Sequence, residues 1–206
     1  MYIPASFAET DAENIREFMR RHIFAVLTSR GPSGLFASHL PLLVEDASGS
    51  KDGLFGHMAR ANPQWREVEG EVMAVFSGPH AYISPTWYAE EGTVPTWNYV
   101  AVHAYGVFQV LEERDALLEV LRRSVPFFEG SLPKPWVFDE SAPDAEKLLK
   151  GIVGFRIEIT RLEAKWKLGQ NHSEARRRRV IQALSASAVE DSKAVAALME
   201  EELKST

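Results

Sequence analysis

Residues 78–106 read GPHAYISPTWYAEEGTVPTWNYVAVHAYG, and the interpretation of the whole chain starts from this stretch. A strand that only fills a core uses Val, Ile and Leu. This stretch uses flat rings with polar tips instead, at Tyr82, Trp87, Tyr88, Trp97, Tyr99 and Tyr105. Such rings combine apolar area with hydrogen-bonding groups. The stretch therefore predicts a surface for a planar heteroaromatic ligand or for a partner subunit.

The end of this stretch opens the longest predicted strand, Tyr99–Val110. Successive side chains of a strand point to opposite faces of its sheet. One face is apolar and predicts core: Val100, Val102, Ala104, Phe108 and Val110. The other face is aromatic and polar and predicts contact with a ligand or a subunit: Tyr99, His103, Tyr105 and Gln109.

Further apolar runs outside this stretch predict an antiparallel architecture. The other predicted strands are Ile23–Thr28, Leu35–Val44, Leu54–His57, Val72–Ser77 and Ile152–Ile159. The first predicted helix begins at a capping box, Thr10–Glu13, and ends at His22. Further helices are predicted over Asp115–Val125, where Pro126 ends the helix, over Pro143–Lys150, and from Ser173 onward. Within the last region, Ser187 and Glu190 form a second capping box. Hairpins and loose connections favour an antiparallel barrel with peripheral helices over a doubly wound sheet. We expect a mainly β (α+β) chain, with a barrel domain at 1–172 and a helical extension at 173–206.

Composition bounds the function. The chain has 206 residues, 45% of them hydrophobic, and a net charge of -6, which argues against broad nucleic-acid binding. The absence of cysteine excludes disulfides, thiolate metal sites and a cysteine nucleophile. Six histidines lack metal-binding spacing, so we expect no metal site, although a haem with one histidine ligand stays open. No apolar run reaches the roughly 20 residues of a membrane span, and we expect a cytoplasmic protein. No motif assigns a catalytic residue.

Residues 56–65, GHMARANPQW, suggest a phosphate site. Arg60 and Asn62 stand before Pro63, at a predicted strand end that leads into a helix. Arg60 offers a permanent charge with planar donors, and the helix would offer free N–H groups. The alternative is an arginine that pairs with a surface carboxylate.

Two other segments place polar side chains where a ligand could reach them. Ser38 and His39 are adjacent in an apolar strand, so they point to opposite faces and one of them faces a ligand or partner. A core histidine bonded to a backbone carbonyl is the alternative for His39. Residues 165–171, KWKLGQN, fit either a ligand-facing loop or an ordinary strand end.

Four consecutive arginines, Arg176–Arg179, stand near the start of a predicted helix, where the helix dipole disfavours cations. Four consecutive helical residues point around most of the helix, which weakens a one-sided contact with DNA. We expect these arginines to be solvated or to contact a subunit.

Taken together, these motifs resemble the PaiB-like family of FMN-binding negative transcriptional regulators, which is built on the FMN-binding split barrel. The matching residues are 1–4 (MYIP), 38–41 (SHLP), 56–65, 78–88, 94–99 (VPTWNY) and 167–171 (KLGQN). The resemblance covers nearly the whole chain in order. The family commonly has serine where this chain has Gly169.

The resemblance implies a homodimer whose two barrels hold FMN at their interface. Together with the motifs it predicts these cofactor-binding residues: Ser38, His39, Arg60, Asn62, Trp97, Asn98, Tyr99, Lys167, Gln170 and Asn171. It also implies a regulator with DNA or a protein as its partner. The alternatives are a flavin-dependent oxidoreductase and a haem-handling split-barrel protein that act on a small molecule.

Overall fold

A computed structural model describes residues 1–45 and 52–204. The strands are β1 Ala8–Glu9, β2 Phe24–Gly31, β3 Gly34–Pro41, β4 Leu43–Val44, β5 Gly53–Ala59, β6 Glu71–Ile83, β7 Thr96–Leu111 and β8 Ile152–Lys167. The helices are α1 Ala12–Arg21, α2 Gln64–Glu67, α3 Arg114–Glu129, α4 Ala145–Lys150, α5 Glu174–Ser185 and α6 Glu190–Lys204. No helix in these ranges is long and apolar enough to cross a membrane.

The strands form one mainly antiparallel sheet in the order β3-β2-β6-β7-β8-β5-β4, with β1 paired to β8. The predicted hairpin of β2 and β3 is confirmed, with Gly31 opposite Gly34. Gly34 has a φ of 107°, which glycine adopts without the strain that a Cβ brings. The order ends at β3 and β4, so across the described residues the sheet does not close into a complete barrel.

Two compact units make up the chain, and β6, β7 and β8 each contribute to both. Unit 1 contains residues 1–18, 77–102 and 163–204, and unit 2 contains residues 19–76 and 103–162. In unit 1, α5 and α6 bury Val180, Leu184, Val195 and Met199. In unit 2, the strands bury Leu27, Leu54, Phe76, Phe155 and Ile157. The predicted division at residue 172 stays a prediction.

The predicted helices exist, but their ends differ from the predicted ones. Asp11, not Thr10, caps α1, because its Oδ1 accepts from the Asn14 N–H at 2.8 Å. Ser173 caps α5 as predicted. The second predicted capping box is wrong, because Ser187 Oγ accepts from the Val189 N–H, only two residues away.

Pro126 does not stop α3, which continues to Glu129. A proline lacks one backbone donor and is costly mainly in the helix interior. Here it stands in the last turn, and its own carbonyl still accepts from the Gly130 N–H at 2.9 Å. The irregular segment therefore begins after the helix rather than at Phe127.

Several strands extend beyond their predicted limits. β6 and β8 run through polar residues to Ile83 and Lys167, and the predicted strand Leu35–Val44 breaks at Leu42 into β3 and β4. On β7 the predicted core face is buried at Val100, Val102 and Ala104, but Val110 is 39% exposed. Most of the predicted polar loop Asp46–Gly53 lies outside the described residues.

Candidate functional site

In unit 2, Ser38 and Asn62 meet directly. The Asn62 side-chain amide donates to Ser38 Oγ at 2.9 Å, and its Oδ1 accepts from the Gln64 N–H at 3.0 Å. The Asn62 N–H also donates to the Ala59 carbonyl at 2.9 Å, which closes the turn after β5. The structure therefore brings these two predicted site residues together at one turn.

Arg60 lies in the same turn and is fixed through its backbone. Its N–H donates to the Gly151 carbonyl at 2.9 Å, and its carbonyl accepts from the Trp65 indole at 3.2 Å. Its guanidinium reaches Glu112, with 2.7 Å between Nη1 and Oε1. Arg60 thus pairs with a carboxylate, which was the alternative to phosphate binding in the sequence analysis. One guanidinium has five N–H donors, so the pair leaves several of them for a ligand.

The helix expected after Pro63 is α2, a single turn of four residues. Such a short helix contributes little dipole, so the positive charge at this turn comes from Arg60. His39 is exposed on β3, with its ring 6.3 Å from that of Phe24. The alternative of a core histidine is therefore wrong for His39.

Two polar groups of unit 2 were not predicted as important. Gln64 is fully buried, and its Nε2 donates to the Leu27 carbonyl and to Ser29 Oγ, both at 3.0 Å. Its Oε1 has no hydrogen-bond partner within residues 1–45 and 52–204. It anchors α2 on β2. His57 on β5 is half-buried, and burial lowers its pKa. Both lie inside the GHMARANPQW motif, but nothing in a single sequence distinguishes a buried glutamine from an exposed one.

The other predicted cofactor residues belong to unit 1. Trp97 is 52% exposed, and its ring lies 5.9 Å from that of Tyr82 and 6.0 Å from that of His80. Tyr99 is half-buried, with Lys165 Nζ 5.2 Å from its ring. A flat aromatic surface thus exists at the start of β7, as the sequence predicts.

The rest of the aromatic strand face is less open than expected. His103 and Tyr105 are half-buried and contact each other, with ring centroids 6.3 Å apart. The Arg161 guanidinium lies over the Tyr105 ring at 3.6 Å. The exposed aromatic area near this strand is therefore that of Trp97 and Tyr82.

The loop after β8 is closed by its own side chains. Gln170 Oε1 accepts from the Leu168 N–H at 2.9 Å, and its Nε2 donates to the Trp166 carbonyl at 2.7 Å. Gln170 therefore shapes the loop. Lys167 Nζ donates to Thr96 Oγ1 and to the Trp97 carbonyl, which ties this loop to the start of β7.

Gly169 has a φ of 82° within this loop. A side chain is strained in that conformation, although a Cβ would meet only ordinary contacts at 3.8–3.9 Å. The serine that is common in the family is therefore unfavourable in this loop geometry. A Gly169→Ser substitution would therefore strain the backbone of this loop.

The arginine run is mostly committed inside unit 1. Arg177 is 5% exposed, and its Nε and Nη2 have no hydrogen-bond partner among the described residues. Arg176 and Arg179 both pair with Glu90, at 3.7 and 2.5 Å. Only Arg178 among the four is fully on the surface, where it pairs with Glu174. The solvated alternative is thus wrong for Arg177, whereas contact of these arginines with a subunit stays a prediction.

A family model described as "Putative FMN-binding domain" matches residues 1–161. The chain belongs to this family. FMN is therefore its cofactor, as the sequence resemblance implies. Protease synthase and sporulation protein PAI 2 of Bacillus subtilis (strain 168) is 40% identical over 210 residues, and the match covers 99% of both chains.

Solved structures share the fold of this FMN-binding family member. The flavocytochrome Anf3 from Azotobacter vinelandii matches with a TM-score of 0.61 and 14% identity, over 82% of this chain and 74% of that one. The FAD and heme binding protein from Mycobacterium smegmatis matches with a TM-score of 0.57 and 13% identity, over 82% and 77%. The expected fold class is confirmed at the level of a mainly antiparallel β sheet with several helices, matching the fold of these structures.

The groups at the Arg60 turn fit the phosphate of FMN. A hydroxyl, a primary amide and a guanidinium are donors that bind phosphate, and the guanidinium keeps its charge at every physiological pH. Glu112 opposes an anion there, because its carboxylate already contacts Arg60.

Proposed function

We propose that this protein is a flavin-carrying regulator that binds FMN at the interface of a homodimer. The phosphate binds at the turn after β5, to Arg60, Asn62 and Ser38. The observation that carries this proposal is the backbone-fixed Arg60 in the same turn as Asn62, whose side-chain amide donates to Ser38 on β3. Charge-assisted hydrogen bonds from a fixed arginine are stronger than neutral ones.

Contact of Trp97 and Tyr99 with an aromatic ring system stays a prediction, which concerns unit 1 alone. An exposed indole and a half-buried phenol offer flat faces to a planar ring system. When bound, FMN supplies electron-transfer chemistry, and the protein supplies binding, orientation and exclusion of water. Direct cofactor contact by His39, Asn98, Lys167, Gln170 and Asn171 stays a prediction.

The regulatory role is proposed from the similarity to the Bacillus subtilis protein, whose name refers to protease synthesis and sporulation. The arginine run does not favour a direct DNA reader, because Arg177 is buried and Arg176 and Arg179 pair with Glu90. A protein partner is therefore the proposed recipient of the regulatory signal, and binding to bare DNA is expected to be weak.

FMN titration followed by flavin fluorescence tests the cofactor proposal. Arg60→Ala should weaken FMN binding by about 1.5–3 kcal/mol, the value of a hydrogen bond to a charged group, or about 10- to 150-fold. Arg66→Ala is the matched control, since Arg66 also lies over the Trp65 ring, at 4.3 Å. An equal loss in both variants, or none in Arg60→Ala, would place the phosphate elsewhere.

Turnover separates the regulator from the oxidoreductase alternative. The FMN-loaded protein is mixed with NADH or NADPH and a quinone or oxygen acceptor, and nucleotide oxidation is followed in the steady state. The regulator proposal expects no sustained turnover. Sustained oxidation that follows the bound flavin would show that the protein is an enzyme.

A further inference from the structure

Unit 1 contains a cavity of about 320 Å³ that the proposed phosphate site does not use. It lies between the start of β7, the loop after β8 and the beginning of α5. Its polar lining includes Asn98, Lys167, His172 and Arg176, and its apolar lining includes Tyr88 and Val94. This size is near the lower end of ligand pockets, which span about 300–1,000 Å³, and suits one ring with a short side chain better than a complete flavin nucleotide.

The charged groups that line this cavity are all basic. Lys167 donates only to neutral oxygens, Thr96 Oγ1 and the Trp97 carbonyl, and no carboxylate within the described residues forms an ion pair with it. Burial and the neighbouring Lys165 lower the pKa of Lys167. An ammonium in this position lacks a counter-charge, and an anion in the cavity would supply one.

Asn98 adds a buried polar side chain to the cavity wall. It is 3% exposed, and its Nδ2 has the Met199 Sδ as its acceptor at 3.4 Å. A thioether sulfur is a weak acceptor, so the amide of Asn98 is only partly satisfied. Buried polar groups normally have full partners, and an incompletely paired amide on a cavity wall points to a polar ligand.

The apolar part of the cavity wall indicates that the ligand also carries an apolar group. Tyr88 is buried, and its ring lies 5.5 Å from that of His172 and 4.2 Å from the Arg176 guanidinium. Arg176 Nη1 lies 3.1 Å from His172 Nδ1, and its Nε has Glu90 at 3.7 Å. Glu90 also pairs with Arg179, so one carboxylate is shared by two guanidinium groups. The net charge around the cavity therefore stays positive.

We propose that this cavity binds a small organic anion that carries a carboxylate or a phosphate on one aromatic or branched apolar group. The anionic head lies toward Lys167, Asn98 and Arg176, and the apolar body lies against Tyr88 and Val94. The proposal assigns Asn98 and Lys167, predicted from the sequence as flavin contacts, to this anion, while the proposed FMN phosphate site consists of residues of unit 2. Lys167 also donates to the Trp97 carbonyl. An anion that binds Lys167 in the cavity is therefore connected through this side chain to the start of β7.

Calorimetric titration of the full-length protein with benzoate and with phenyl phosphate tests the proposal, with FMN present and absent. At least one anion should bind, and neutral benzamide should bind about tenfold more weakly or not at all. Lys167→Gln and Arg176→Gln should each weaken anion binding by about tenfold, as expected for a lost charged contact. Arg178→Gln is the matched control, because Arg178 is exposed on the same helix and pairs with Glu174.

Proton NMR of the histidine rings gives a second measurement that does not depend on variants. The pKa of His172 is lowered by burial and by Arg176 and Lys167, while Glu90 raises it. An anion beside this ring favours its protonated form, so saturation with benzoate should raise the pKa of His172. The proton resonances of the His39 ring, which is exposed in unit 2, should not respond to benzoate and serve as the internal reference.

Four results would overturn the proposal. The first is that neither anion binds at millimolar concentration, and the second is that benzamide binds as tightly as benzoate. The third is that Arg178→Gln loses as much anion affinity as Lys167→Gln and Arg176→Gln. The fourth is that FMN displaces benzoate. The last result would assign the cavity to the flavin. Failure of FMN to bind at all would instead refute the proposed cofactor site and leave the benzoate result intact.

Discussion

At the scale of single residues, the ion pair between Arg60 and Glu112 bears on the proposed phosphate site. The two side chains are 2.7 Å apart and both are partly exposed. Removing the charge of Glu112 should free Arg60 and also remove a repulsion from the phosphate. Since an exposed ion pair is worth about 0.5–1 kcal/mol, we expect Glu112→Gln to tighten FMN binding about two- to fivefold.

Flavin fluorescence titration measures this change. Glu113→Gln is the matched control, because it removes the same charge at the next position, where the side chain forms no cap bond with α3. If the Kd for FMN rises or stays constant in Glu112→Gln, then Arg60 does not bind the phosphate through the donors it shares with Glu112.

The sequence indicates which side chains have the chemistry for a site, but it does not indicate their burial or their pairing partners. Arg60 and Asn62 were predicted from their chemistry and from the Asn-Pro turn, and Ser38 was predicted separately as a polar residue in an apolar strand. The structure brings Ser38 and Asn62 together. The pairing of Arg60 with Glu112 links positions 52 residues apart, and no local pattern encodes it. The burial of Arg177 was missed for the same reason, since its surroundings are set by tertiary packing.

At the scale of elements, the start of α1 depends on one side chain. Asp11 Oδ1 accepts from the Asn14 N–H at 2.8 Å, whereas Thr10 contributes its backbone N–H to Glu9. Replacing an N-cap aspartate by alanine typically costs about 1 kcal/mol. We expect Asp11→Ala to lower the free energy of unfolding by this amount, as measured by urea denaturation followed by circular dichroism.

Thr10→Ala is the control for this prediction, because the predicted capping box names Thr10 as the cap. It should change the free energy of unfolding by less than about 0.5 kcal/mol, as surface substitutions usually do. A larger loss for Thr10→Ala than for Asp11→Ala would restore the capping box that the sequence suggested.

Element types were easier to predict than element lengths. The apolar cores of β6 and β8 were predicted, but both strands continue through mixed residues to Ile83 and Lys167. Their ends are set by pairing with neighbouring strands, such as β1 against Ala164 and Lys165. Strand propensity depends only on the residues of the strand itself, so the predicted strand ends where the apolar run ends.

At the scale of the whole molecule, each compact unit is built from segments that are far apart along the chain. Unit 1 collects residues 1–18, 77–102 and 163–204, and helices α5 and α6 supply much of its buried apolar surface. Long strands that contribute to two units produce this arrangement. A single sequence without pairing information favours contiguous domains, because it shows neighbours along the chain and not across the sheet.

The homodimer is the prediction that belongs to the whole molecule. Trp97 and Tyr82 are 52% and 46% exposed and pack against each other, and aromatic residues are enriched at protein interfaces. We expect light scattering at micromolar concentration to give twice the mass of one chain. Trp97→Glu should shift the protein toward the monomer, since a charge in the centre of an interface is costly.

Trp136→Glu is the matched control for this charge, because Trp136 is equally exposed, at 55%, on the irregular segment after α3. It should leave the protein dimeric and FMN binding unchanged. If two chains share each flavin, Trp97→Glu should lose the dimer and FMN affinity together, and raising the protein concentration should restore both. A monomeric Trp97→Glu protein that binds FMN with the original Kd would show that one chain holds the cofactor alone.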